Sequence, residues 1–137
     1  MISLHSKRIR LALLAAAAGL GFAAAPLAAQ IRADPGADLS EHLRTLAESP
    51  RSLSALMGAA RAALALGDYQ AAITFFARAE EIAPRDGRIK AGIASALLQM
   101  EQPQAALKFF SEATSLGVPD AEIAADRGLA YDLAGNP

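Results

Sequence analysis

The chain has 137 residues, enough for about one domain, and it is 53% hydrophobic but only 5% aromatic. It contains no cysteine, which excludes disulfides, thiolate metal sites, a cysteine nucleophile and lipid attachment at an N-terminal cysteine. A net charge of −1 offers nothing like the basic footprint that a phosphate backbone requires, so nucleic acid is not an expected partner. Much of the apolar content is alanine, the best helix former, whereas sheets favour β-branched and aromatic residues. The composition therefore predicts closely packed helices.

The first element is an address. Lys7, Arg8 and Arg10 precede the uncharged apolar run Leu11 to Ala25, and Pro26-Leu27-Ala28-Ala29 then presents small residues before Gln30. This is the three-part order of a secretory signal peptide, with cleavage expected after Ala29. Cleavage would remove three cations and no acid, taking the net charge from −1 to −4. The alternative is an uncleaved membrane anchor, because the run to Ala29 approaches the roughly 17–25 apolar residues that span a bilayer. Gly19, Gly21 and Pro26 weigh against a stable spanning helix. Residues 30–37 read as a linker, with Pro35-Gly36 as its turn signal.

Residues 38–50 follow as a lone helix. Asp38 and Glu41 form a capping-box-like pair, and Leu39, Leu43 and Leu46 form the apolar side. Next come predicted helices over Ser52 to Leu66, Tyr69 to Ala83, Asp86 to Met100, Pro103 to Leu116 and Ala121 to Ala134. Gly67-Asp68 ends one helix and caps the next. Pro103 opens another at the position where its missing N–H costs nothing. Asp86 and Asp120 are N-cap candidates.

These elements repeat. Pro50 and Pro84 lie 34 residues apart, and the same step aligns Ala60 with Ala94 and Gly128, Ala63 with Leu97 and Tyr131, Ala72 with Ala106, Phe76 with Phe110, and Ala79 with Ala113. The string AAITFFARA returns as AALKFFSEA. A 34-residue period carrying small residue, aromatic, alanine and proline in this order, with LGDYQAA (Leu66 to Ala72) as its most diagnostic string, resembles the tetratricopeptide repeat (TPR). The resemblance implies an all-α, helix-turn-helix solenoid. It comprises a half-repeat at 38–50, repeats at 53–86 and 87–120, and a partial repeat at 121–137 that breaks off where its second helix would begin. The large aromatic usual near the start of each repeat is replaced by Leu56 and Lys90. Phe76 and Phe110 are expected to fill the space left by the facing alanines. Phe75 and Phe109 are expected on the next repeat or partly exposed.

A constellation for catalysis is absent from the sequence. His42 has no ligand partners around it, and Glu80-Glu81 are adjacent on a helix, about 100° apart, which suits a solvated face. No Gly-rich phosphate loop follows a strand, and Ser111 and Ser115 lack a base. The reading is a non-enzyme without cofactor, metal or small-molecule substrate.

The resemblance also implies where a partner would sit. First helices of stacked repeats line a concave groove. Here that places Ser54, Met57, Arg61 and Leu64 from repeat one, Arg88, Ala91, Ser95, Leu98 and Gln99 from repeat two, and Glu122, Ala125, Leu129 and Asp132 from repeat three. The mixture suits an extended peptide or a partner helix. The carboxylate clamp of co-chaperone members is not carried over, because Met57, Arg61, Gly92, Glu122 and Asp126 occupy its positions. The expected function is a protein-interaction scaffold exported to a bacterial periplasm. The alternatives are a signal-anchored component of an envelope, pilus or secretion assembly, in contact with the membrane only if the signal is retained, or an N-terminal fragment of a longer TPR protein.

Overall fold

The computed structural model describes residues 34–135, and the apolar N-terminal run with its cleavage point lies outside them. Six helices follow one another: α1 (Pro35–Glu48), α2 (Leu53–Leu66), α3 (Tyr69–Glu80), α4 (Gly87–Gln99), α5 (Pro103–Ser115) and α6 (Asp120–Leu133), with no strand among the described residues.

Local chemistry sets most boundaries. Ser52, Asp68 and Asp86 each cap a helix by accepting a backbone N–H through the side chain, from Ala55, Ala71 and Arg88 respectively. Gly67 leaves α2 at φ 80°, in the left-handed region that glycine enters without a Cβ penalty. One period later that conformation falls on Glu101, at φ 58°.

Two starts differ from the sequence expectation. Helix α1 begins at Pro35, capped by the Asp34 carboxylate on the Gly36 N–H, so Asp38 lies inside the first turn and does not cap with Glu41. Pro35-Gly36, expected as a linker turn, is helical because proline at the first position gives up an N–H that the helix does not use. Helix α6 begins at Asp120 with Pro119 as its N-cap residue. The Asp120 carboxylate is engaged by Arg127 at 2.7 Å and by the Thr114 hydroxyl at 3.3 Å, which removes it from capping. Helix α3 stops at Glu80, three residues short of the expected Ala83, and the following residues turn through bonds from the Ile82 and Ala83 amides to the Ala79 carbonyl.

The helices pack in chain order, each on its predecessor. Beyond these neighbours, α2 approaches α4 and α4 approaches α6, whereas the backbones of α1, α3 and α5 stand more than 8 Å apart, Cα to Cα. First helices are therefore close and second helices splayed, so the layer α2, α4, α6 forms the inner side of the curve.

The core is small against large. Phe76 and Phe110 are 1% and 0% exposed, and Ala60, Ala63, Ala72, Ala79, Ala94, Ala106 and Ala113 are buried around them. Glycine completes the arrangement. The Phe76 ring occupies the space above Gly92, and the His42 ring occupies the space above Gly58, one period earlier. A Cβ at either glycine would overlap the ring. At the third corresponding place stands Asp126, and α6 packs on α5 less extensively than α4 packs on α3. Phe75 and Phe109 are half-buried against the core, and Phe109 and Leu97 pack on the clusters of both repeats.

Candidate interaction surface

The groove residues named from the sequence fall on α2, α4 and α6, the inner layer. They divide into a floor and a set of reachable groups. Met57 and Leu98 are floor, at 6% and 3% exposure. Leu64 and Ser95 are half-buried, and Arg61, Arg88, Gln99, Glu122, Leu129 and Asp132 are exposed.

Two hollows open among these residues. One, of about 240 Å³, is lined by Leu53, Ser54, Met57, Arg61 and Arg88. The other, of about 650 Å³, is lined by Leu98, Gln99, Glu101, Pro103, Gln104, Leu129 and Leu133. Met57 and Arg88 belong to the N-terminal halves of α2 and α4. Leu98, Leu129 and Leu133 belong to the C-terminal halves of α4 and α6. The hollows therefore stand at opposite corners of the inner layer.

The face carries a charge gradient. The Arg61 side chain, near the first hollow, has no hydrogen bond or ion pair to another described residue. Arg88 is held by Asp86, its Nη2 at 2.6 Å and its Nε at 2.9 Å from the two carboxylate oxygens. The Arg88 side-chain hydrogen bonds lower the Asp86 pKa, against the upward push of burial. Glu122 stands near Arg88, and Asp126 and Asp132 stand further along α6. Asp126 accepts a hydrogen bond from Ser95 Oγ at 2.8 Å, which ties α4 to α6 across the face.

One ionic cluster lies away from this face. Lys90 stands where a consensus repeat would place an aromatic. Its Nζ lies 2.5 Å from Glu80 and 3.1 Å from Glu112, and 5.2 Å from the centre of the Phe109 ring. The Lys90 pKa is raised, first by the Glu80 hydrogen bond and then by Glu112, against desolvation. Glu80, expected on a solvated face, is instead part of this pairing, whereas Glu81 is exposed. Sequence reading missed the cluster because Glu80 and Glu112 are not related by the repeat period. Among the described residues no three His, Asp or Glu side chains stand together as a metal site.

Helix α6 buries one side only. Ile123 and Ala130 are buried and belong to the core shared with α5. Ala124, Gly128 and Tyr131 are exposed, although their counterparts Leu56, Ala60 and Ala63 are fully buried in α2. In the earlier repeats that line is covered by the following helix. Leu129 and Leu133 are also 46% and 55% exposed. Contiguous apolar surface of this kind favours association. The 137-residue chain should therefore sediment with increasing weight as its concentration rises. Gly128→Lys with Tyr131→Lys should suppress that rise with little change in melting temperature, since no side chain lies near Gly128. Unchanged sedimentation would show that this line does not drive association.

The tetratricopeptide-repeat family model matches residues 40–91 and again residues 63–127. A search of curated proteins finds no match. Such repeats form protein–protein interaction modules, typically non-catalytic, that bind proteins or peptides. With 34-residue units, six antiparallel helices among the described residues and a core of rings set against alanine and glycine, the chain belongs to the tetratricopeptide repeat family.

Proposed function

We propose that the protein is a non-catalytic scaffold of the bacterial periplasm that binds a partner peptide or helix along the inner layer of α2, α4 and α6. The observation that carries this reading is the composition of that face. An apolar floor of Met57 and Leu98 is rimmed by exposed polar and charged groups from three successive first helices. A floor that excludes water and a rim that orients the ligand are what extended peptide recognition needs. The export half of the reading rests on the order of cations, apolar run and small residues in the first 29 residues.

Expression in a Gram-negative host with periplasmic extraction tests the location. The soluble extract should contain a product whose N-terminus is Gln30 by mass spectrometry. A membrane-bound product that keeps Arg8 and Arg10 would favour the signal-anchored reading, in which the same helical array is tethered to an envelope assembly. No helix among the described residues is long and apolar enough to cross a membrane.

A further inference from the structure

The two hollows and the unpaired Arg61 specify more than a generic groove. Given that the inner layer is the binding face, on which this reading rests, we infer that the partner segment is an extended peptide carrying an acidic side chain and, about five residues away, a large apolar side chain. The acidic group docks at Arg61 and the apolar one between Leu98, Leu129 and Leu133.

The acidic end follows from charge. Arg61 is exposed beside a hollow floored by Met57 and Leu53, and no described residue pairs with it. Its fork can take both oxygens of one carboxylate. Arg88 lines the same hollow but already holds Asp86 and has Glu122 near it, which leaves Arg61 as the contact. A terminal carboxylate clamp would need several converging free cations, whereas a single side-chain carboxylate needs one fork.

The apolar end follows from shape. The hollow of about 650 Å³ has Leu98 at its floor and the exposed Leu129 and Leu133 as a wall. Its volume is within the range that accepts a compact organic group, roughly 300–1,000 Å³, and an aromatic or branched side chain fills only part of it. The nearby acids Glu101 and Asp132 disfavour a second carboxylate there and so fix the direction of the peptide.

Spacing follows from the repeat register. Arg61 and Leu129 occupy equivalent positions two 34-residue steps apart, on α2 and α6 with α4 between them, so the peptide crosses two helix-to-helix steps of about 8–10 Å each. An extended chain covers that distance in about five residues at roughly 3.3 Å each. Between the hollows the peptide would cross Ala91 and Ser95, a shallow stretch of small side chains.

Fluorescein-labelled nonapeptides in a Gly-Ser background, each with one Asp and one Phe, provide the test by fluorescence anisotropy with the chain from residue 30 onward. Asp–Phe separations of two, five and seven residues are compared with a Lys–Phe peptide at five. The five-residue Asp–Phe peptide should bind best, at least about tenfold tighter than its Lys counterpart. Arg61→Glu should invert that order, and Leu129→Ser with Leu133→Ser should abolish the advantage of the five-residue separation over two and seven. Binding that shifts NMR signals of α2, α4 and α6 but ignores charge, separation and these substitutions would overturn the acidic–apolar specificity while leaving the groove reading intact. Binding mapped to the outer helices, or no binding by any peptide at millimolar concentration, would overturn the specificity and count against the inner face itself.

Discussion

Phe76→Ala and Phe110→Ala should each lower the unfolding free energy by about 3–5 kcal/mol, the usual range for truncating a buried phenylalanine. The cost has two parts: the apolar area no longer removed from water, and the cavity left because the surroundings relax only in part. Relaxation is restricted here because the neighbours are alanines on helix backbones. Ala72, Ala79, Ala106 and Ala113 have no rotamers with which to reach into a void, and all are fully buried. A domain of about 100 residues holds only about 5–15 kcal/mol in total, so either variant should lose much of its reserve. Urea titrations followed by circular dichroism at 222 nm would measure the shift. Midpoints equal to that of the parent would show that the rings do not hold the repeats together.

The second large effect comes from a residue with no side chain. Glycine inside a helix is normally a defect, and alanine in its place gains about 1 kcal/mol of propensity. At Gly92 that rule should reverse. The Phe76 ring fills the volume into which a Cβ would project, and Phe76 is itself buried and cannot swing aside. Gly92→Val should therefore destabilise by about 1–3 kcal/mol or more through overpacking, and Gly92→Ala should lose stability despite its better propensity. Gly128→Ala is the control, with open space at the same kind of helical position, and should be neutral or stabilising. If Gly92→Ala and Gly128→Ala both stabilise, the ring and the glycine are not a packed pair.

Legibility in the sequence tracked side-chain volume. The 34-residue recurrence of Phe76, Phe110 and the alanines was visible because each position needs a particular size, and size is read directly from residue type. The ring-on-glycine contact was visible in principle, since His42 and Phe76 are 34 apart, as are Gly58 and Gly92. It was missed because a glycine inside a helix reads first as a weakness and only tertiary structure turns it into a socket. Helix starts were harder to read. Pro35-Gly36 carries a turn signal that the Asp34 cap overrides, and Asp120 is a good cap residue drawn off by Arg127 and Thr114. Side chains on the inner face could be assigned from the period, but the unequal pairing of Arg61 and Arg88 depends on where Asp86 points. No spacing encodes that.

Lys90 bears on how such an array comes apart. Its ammonium reaches Glu80 on α3 and Glu112 on α5, helices of consecutive units whose backbones stand apart. In a linear array the total free energy is a sum of terms for single units and terms for the junctions between them. Melting from one end costs only the junction being broken, so weak junctions let an array fray. A cation shared by two units makes part of each unit's pairing conditional on the other being folded. Loss of α3 leaves the partly buried ammonium with one acid instead of two, and loss of α5 does the same from the other side. The pairing thus raises the penalty for a half-melted array above that for one wholly folded or wholly unfolded. The units it joins should therefore cross their transition as a single step.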